Sequence, residues 1–208
     1  MKTILCYGDS NTWGYNPLTK ERYSREERWT GILQKELGED YEVIEEGLNG
    51  RTTVWDDPIE GHKNGKEYLI PCLESHRPVD LVIIMLGTND LKKRFSLSAF
   101  EIANGAKVLV NIVQKSKAGP GEIAPKVLLM APPPVGKLTE LAEEFEGAEE
   151  KSKKFSYHFK RVATECGCEF LDTSKIIVSS DIDGIHFEVQ EHKKLGHAVA
   201  RMVRKILE

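Results

Sequence analysis

The residues from Leu81 to Leu86 form an uninterrupted apolar run, LVIIML, which constrains the fold more than any other stretch of the chain. A strand with one face in water alternates apolar and polar residues, and this run does not alternate. A strand of this kind is buried on both faces, as in a parallel sheet that carries helices on either side. We therefore predict that this run and its flanking residues form a central strand over 79–86.

Four further apolar runs have strand character, and helical patterns lie between them. The other predicted strands cover 3–7, 41–45, 126–131 and 168–171. Helical spacing of apolar residues appears over 29–37, 98–115, 138–166 and a terminal stretch marked by Leu195, Val199, Met202, Val203 and Ile206. This alternation predicts an α/β protein, a three-layer α/β/α sandwich with a five-stranded parallel, flavodoxin-like sheet. We expect a single domain over 1–208, with an irregular insertion at 54–65 that either covers the site or serves an interface.

Composition narrows the function classes. The formal net charge of −4 provides no strong positive field for nucleic acid, so we expect no nucleic-acid partner. No apolar run reaches the roughly 18 residues of a membrane helix, and none resembles a secretory signal core, so we expect a cytoplasmic protein without a membrane partner. Cys166 and Cys168 are spaced C-x-C rather than C-x-x-C, so we expect reduced thiols and no metal in the functional site.

Polar loops follow four of the predicted elements. They are Gly8-Asp9-Ser10-Asn11, the stretch 47–53, Gly87-Thr88-Asn89-Asp90 and the stretch 181–186. Because ligands of open parallel sheets bind outside the carboxyl ends of the strands, these loops are expected to meet at one edge.

Five residues in these loops supply the groups that acyl transfer needs. Ser10 offers a hydroxyl on a tight turn, His186 an imidazole that can accept its proton, and Asp183 a carboxylate that can orient the imidazole. Gly50 and Asn89 can donate N–H groups to an oxyanion. Each residue alone also fits a structural role, such as a helix cap, a turn or a core histidine. Their convergence on one edge favours catalysis.

The same loops resemble the four blocks of the SGNH, or GDSL, hydrolase family. The blocks correspond to Gly8-Asp9-Ser10, Gly50, Gly87-Thr88-Asn89-Asp90 and Asp183-Gly184-Ile185-His186, in the family's order. The sequence lacks G-x-S-x-G, so the ordinary α/β-hydrolase elbow is not implied.

The resemblance implies a role for each matching residue. Ser10 would be the nucleophile, His186 the general base and Asp183 its partner. The oxyanion hole would consist of the Ser10 N–H, the Gly50 N–H and the Asn89 side chain. Gly47 also stands in the second block, but Gly50 is the better match because it precedes Arg-Thr-Thr.

A narrower resemblance is to the arylesterase/acyltransferase branch of that family. The matching stretches are 4–10, 28–31, 43–48, 51–53, 80–90 and 183–187. The branch implies a small ester substrate with a short acyl group, an acyl-enzyme that passes to water, alcohols or peroxide, and no cofactor. It also implies a homo-oligomer, an octamer in the best-known case. The characterised acyltransferase has alanine at the position of Gly50, so the resemblance supports hydrolysis more directly than transfer.

Aromatic residues near the blocks are candidates for the substrate pocket. We predict Trp13, Tyr15 and Phe187 as walls and Phe145 at the entrance, with ordinary core packing as the alternative for each. Two other functions stay open from the sequence. A flavodoxin-like binding protein would also have a polar loop after its first strand. That function gives no reason for Asp183 and His186 near the end of the chain. A carbohydrate O-deacetylase or lysophospholipase would use the same catalytic residues.

Overall fold

Five parallel strands form one sheet in the order β2-β1-β3-β4-β5. The computed structural model describes residues 1–208. The strands are Lys2–Gly8 (β1), Tyr41–Gly47 (β2), Leu81–Met85 (β3), Lys126–Ala131 (β4) and Glu169–Asp172 (β5). All four neighbouring pairs are parallel, which confirms the predicted flavodoxin-like sheet.

Helices cover both faces of the sheet. They are Ser10–Trp13 (α1), Trp29–Leu37 (α2), Gly65–His76 (α3), Ala99–Lys115 (α4), Ala148–Ser152 (α5), Phe155–Cys166 (α6) and Val189–Leu207 (α7). One core lies between the sheet and α3, α4 and α6, and the other lies between the sheet and α2 and α7. Along β3, Val82 and Ile84 enter the first core, whereas Leu81, Ile83 and Met85 enter the second. The uninterrupted apolar run therefore serves two cores at once. No helix combines the length and the apolar composition needed to cross a lipid bilayer.

The helical predictions need two corrections. Helix α3 was not predicted, because its buried stripe is narrow and Pro71 stands inside it. Proline lacks the N–H that a helix interior uses, so it argues against a helix in any pattern-based analysis. In the charged stretch 138–166, only α5 and α6 are helical, and the residues before α5 form turns. Gly147, with φ of 80°, ends those turns directly before α5.

Candidate active site

A sharp turn at the end of β1 presents Ser10. The strand ends at Gly8, and α1 begins at Ser10. The Asp9 carboxylate accepts a hydrogen bond from the Asn11 N–H at 3.0 Å and so caps this short helix. A Cβ on Gly8 would lie 2.0 Å from Thr12 Oγ1, so only glycine permits so tight a return of the chain. Ser10 consequently stands at the carboxyl edge of the central strands, as predicted.

The segment before α7 presents Asp183 and His186. Asp183 Oδ1 accepts the backbone N–H groups of Ile185 at 2.8 Å and His186 at 2.9 Å, which folds the segment into a turn. Gly184 adopts φ of 80° in this turn, and a Cβ there would lie 2.7 Å from the Lys137 carbonyl oxygen. The turn holds the carboxylate beside the imidazole ring.

Ser10, His186 and Asp183 form one continuous hydrogen-bonded chain. The His186 Nε2 atom lies 3.0 Å from Ser10 Oγ, and His186 Nδ1 lies 2.6 Å from Asp183 Oδ2. The three residues are buried, with 6%, 9% and 2% of the surfaces of Ser10, His186 and Asp183 exposed. The structure thus brings together three residues that the sequence places near opposite ends of the chain.

The charge state of Asp183 sets the tautomer of His186. Burial opposes ionisation of Asp183, but the hydrogen bonds from the His186 ring and from the His186 and Ile185 N–H groups outweigh it, so the pKa of Asp183 lies below its ordinary value. An ionised carboxylate is an acceptor only, so His186 carries its proton on Nδ1. Nε2 is then free to accept the hydroxyl hydrogen of Ser10.

The second loop lies beside the nucleophile turn. The Gly8 carbonyl oxygen accepts hydrogen bonds from the Leu48 N–H at 3.2 Å and from Arg51 Nη1 at 2.9 Å. Leu48 in turn accepts from the Arg51 N–H at 3.0 Å, which closes a turn with Gly50 at φ of 79°. The Asn89 side chain donates to the Arg51 carbonyl oxygen at 3.1 Å. The second and third blocks are therefore joined to each other and to β1.

These contacts leave donors unused. Neither the Ser10 N–H nor the Gly50 N–H donates a hydrogen bond within the chain, and one of the two amide hydrogens of Asn89 is also unused. Unpaired donors beside a nucleophile can stabilise a developing oxyanion.

Gly47 and Gly50 have different structural reasons to be glycine. Gly47 pairs with Gly8 across β2 and β1, and a Cβ there would lie 2.2 Å from the Trp13 backbone nitrogen. It therefore lets α1 approach the sheet. Gly50 instead provides the positive φ of the turn and an N–H without a partner. This difference is consistent with the preference for Gly50 as the oxyanion donor.

Two buried carboxylates in the blocks were not assigned a role from the sequence. Burial raises the pKa of Asp9 to about 6, although the Asn11 N–H and His186 lower it. Burial also raises the pKa of Asp90 to about 7, although the hydrogen bonds from the hydroxyl and the backbone N–H of Thr53 lower it. Both residues stand within the motifs GDS and GTND, which is the one sequence signal that marked them.

The four aromatic pocket candidates separate into two groups. Trp13 and Tyr15 are half-buried, and the Tyr15 ring lies 4.2 Å from the His186 ring, centroid to centroid. Phe145 and Phe187 expose 2% and 0% of their surfaces and belong to the two hydrophobic cores. Side chains without accessible surface do not line a pocket, so for Phe145 and Phe187 the structure supports the alternative of core packing.

The irregular insertion at 54–65 covers the Gly50 turn. A Cβ on Gly50 would lie 2.6 Å from Glu60 Oε2, and Lys63 Nζ donates to the Asn49 carbonyl oxygen at 2.8 Å. The insertion is held by a cluster of ion pairs that link Lys92 and Arg94 to Asp57, Glu60 and Glu144. The side chains of Lys92 and Asp57 are 5% and 0% exposed, so this pair is shielded from solvent, whereas Arg94, Glu60 and Glu144 are partly exposed. The insertion therefore packs against the Gly50 turn.

A serine hydroxyl, an imidazole and a carboxylate in sequence at the carboxyl edge of a parallel sheet define a serine hydrolase of the α/β/α type. The chain belongs to the GDSL-like lipase/acylhydrolase family, which it matches over residues 6–194. The protein is a carboxylic ester hydrolase of this SGNH family, as the four blocks predicted.

Solved structures of similar proteins cover the whole chain. The native aryl esterase of M. smegmatis is 44% identical, with a TM-score of 0.96 and 100% of each chain covered. Est24, a carbohydrate acetylesterase from Sinorhizobium meliloti, is 43% identical, with the same TM-score of 0.96 and 100% of each chain covered. A carbohydrate acetylesterase family member from the same organism is 38% identical, with a TM-score of 0.95. The alignment covers 100% of this chain and 99% of that chain. A comparison with curated proteins gave no match.

Proposed function

We propose that the protein is a serine esterase that cleaves short-chain carboxylic esters, such as aryl and alkyl acetates, through an acyl-enzyme on Ser10. The observation that carries the proposal is the hydrogen-bonded chain from Ser10 Oγ through His186 to Asp183, at 3.0 and 2.6 Å. The chain has the order and geometry that activate a serine hydroxyl for nucleophilic attack.

In the first half of the reaction, Ser10 Oγ attacks the carbonyl carbon of the ester and its proton passes to His186 Nε2. The carbonyl oxygen becomes an oxyanion, for which the Ser10 N–H, the Gly50 N–H and the Asn89 amide are the donors. Asp183 stabilises the imidazolium that forms. His186 then protonates the leaving alcohol as the carbon–oxygen bond breaks, and the acyl group remains on Ser10.

In the second half, an acceptor attacks the acyl-enzyme while His186 again takes its proton. Water as the acceptor releases a carboxylic acid. An alcohol releases a new ester, and hydrogen peroxide releases a peracid. Tyr15 lies against the His186 ring, and Trp13 lies beside Tyr15 with 6.5 Å between ring centroids, so an apolar surface borders the reacting atoms. We propose that this surface favours acetyl-sized acyl groups and lets alcohols compete with water.

A second candidate substrate class is the acetylated carbohydrate. The likeness to Est24 over the whole of both chains favours it, and the catalytic steps would be unchanged. The two classes differ in the leaving alcohol, which is a phenol in one and a sugar hydroxyl in the other.

Turnover of p-nitrophenyl acetate, p-nitrophenyl octanoate and a per-acetylated sugar would test the proposal, with Ser10→Ala beside the wild type. Ser116→Ala is a matched control, because this serine lies after α4 and its hydroxyl makes only local hydrogen bonds, to the Val113 carbonyl oxygen at 2.8 Å and from the Ala118 N–H at 3.4 Å. We expect acetate to be cleaved faster than octanoate, the control to retain activity and Ser10→Ala to lose it. A folded Ser10→Ala that keeps its activity would refute the role of Ser10. Faster cleavage of octanoate than of acetate would refute the short-chain preference.

A further inference from the structure

A cluster of three potential metal ligands lies at the contact between β2 and α3. Glu46 is the second-last residue of β2, and Cys72 and His76 stand one helical turn apart on α3. Because residues four apart share one helix face, Cys72 and His76 both face the strand. The Sγ atom, an imidazole nitrogen and a carboxylate oxygen all lie within 4.8 Å of one another. His76 Nε2 and Glu46 Oε1 are 2.8 Å apart.

We propose that Glu46, Cys72 and His76 form a binding site for Zn²⁺. A thiolate, an imidazole and a carboxylate are the three ligand types that zinc uses in proteins, and three protein ligands leave a fourth position for water. In a tetrahedral zinc site with bonds of about 2.0–2.3 Å, ligand atoms stand about 3.3–3.7 Å apart. The separations in this cluster, from 2.8 Å to at most 4.8 Å, bracket that range, so shifts of about 1 Å in the ligand atoms would accommodate the ion.

The cluster is partly open to solvent and lies beside the Arg51 guanidinium, which donates to the Glu46 carbonyl oxygen. Cys72 is fully buried, whereas the side chains of Glu46 and His76 are 19% and 30% exposed. A surface depression lined by Glu46, Gly47 and Tyr68 gives solvent access to the cluster from one side. On binding, the thiol proton of Cys72 leaves to solvent and the sulfur becomes a ligand, so the exchange needs no redox partner.

The ion would join α3 to the sheet. Helix α3 contains Pro71 and therefore lacks one internal hydrogen bond in the turn that precedes the ligands. A metal held by two residues of α3 and one of β2 would stabilise this end of the helix. Glu46 also lies four residues before Gly50, so the ion would steady the strand end that leads into the Gly50 turn. Ser10, His186 and Asp183 are not ligands, so the site and the esterase reaction can be tested separately.

A titration with Co²⁺ tests the site, because cobalt bound to a thiolate in a tetrahedral site gives a charge-transfer band in the near ultraviolet. The full-length protein would be treated with a chelator and a reductant, desalted and titrated without oxygen. We expect the band to saturate at one equivalent of Co²⁺ and to disappear when one equivalent of Zn²⁺ is added. Zinc should also raise the melting temperature of the wild type. No band in the wild type would overturn the proposal.

Matched variants identify the ligands. Cys72→Ser and His76→Gln should abolish the band and the zinc-dependent rise in melting temperature, whereas Cys166→Ser combined with Cys168→Ser should keep both. His76→Gln decides the outcome if Cys72→Ser does not fold, because His76 is the most exposed of the three ligands. A band that survives in folded His76→Gln, or that is lost only when Cys166 and Cys168 are replaced, would overturn the proposal. Esterase activity enters none of these measurements.

Discussion

Replacing Asp90 by asparagine tests whether the fold holds this side chain as a neutral acid. The side chain is fully buried, and its two oxygens accept the Thr53 N–H at 3.0 and 3.1 Å. The Thr53 hydroxyl is also hydrogen-bonded to it. Asparagine has the same shape as a protonated aspartate. Its carbonyl oxygen can accept the Thr53 N–H, and its NH₂ group can donate to the Thr53 hydroxyl.

The size and sign of the effect follow from the pKa of Asp90. Burial raises that pKa from its ordinary value of 3.8 to about 7, and the charge of Asp9 adds to the rise. Between these two pH values the native state binds a proton that the unfolded state has lost, so the free energy of unfolding falls as pH increases. A pKa difference of about 3 corresponds to about 4 kcal/mol, which is fully expressed above pH 7. Asparagine has no proton to lose and avoids this destabilisation.

Urea unfolding of the wild type and of Asp90→Asn near pH 5 and near pH 8 would measure the effect. We expect the stability of the variant relative to the wild type to increase by about 2.5–3 kcal/mol between these conditions, because part of the roughly 4 kcal/mol is already expressed near pH 5. Asp40→Asn is the control, because Asp40 is exposed and should show no comparable change. If the difference between Asp90→Asn and the wild type were the same at both pH values, Asp90 would be ionised throughout and the reasoning would be wrong.

Three further substitutions test other parts of the structure. Asn89→Ala should lower kcat for p-nitrophenyl acetate by about 10²–10³ in the folded variant, besides the cost of about 1 kcal/mol for its lost hydrogen bond to Arg51, and unchanged turnover would remove Asn89 from the oxyanion hole. Gly47→Ala should lower the free energy of unfolding by about 3 kcal/mol, since its Cβ would lie 2.2 Å from a backbone nitrogen of α1. Gly167→Ala has open space at a left-handed helical position, so chemical denaturation should show only the cost of its positive φ, about 1 kcal/mol. Lys92→Met should cost about 1–3 kcal/mol by removing a buried cation from Asp57, which keeps Arg94 as its partner, and Lys93→Met, at an exposed position, should cost at most about 0.5 kcal/mol in the same assay.

The sheet and the triad were predictable because both depend on short-range sequence signals. The apolar run 81–86 required burial on two faces, and that requirement led to a parallel sheet with helices on both sides. Parallel strands place their carboxyl ends on one edge, so the loops that contain Ser10 and His186 had to meet there. The GDSL motifs then identified which residues in those loops were candidates for chemistry.

Other features depend on contacts that sequence patterns do not encode. Phe187 follows His186 directly, yet it belongs to the core beneath α7 rather than to the pocket, because consecutive side chains in a turn point in different directions. Lys92 meets Asp57 and Glu144 only after three separate segments have packed. The raised pKa of Asp90 likewise results from burial, which becomes known only once the fold is formed.

The contact between Ser10 and His186 joins residues that are 176 positions apart in the chain. During synthesis, β1 and Ser10 leave the ribosome first, and the imidazole emerges only shortly before α7. A nascent or truncated chain that ends before residue 186 has its nucleophile but no base. In refolding experiments, recovery of ester cleavage would therefore report that both ends of the chain have docked at the same edge of the sheet.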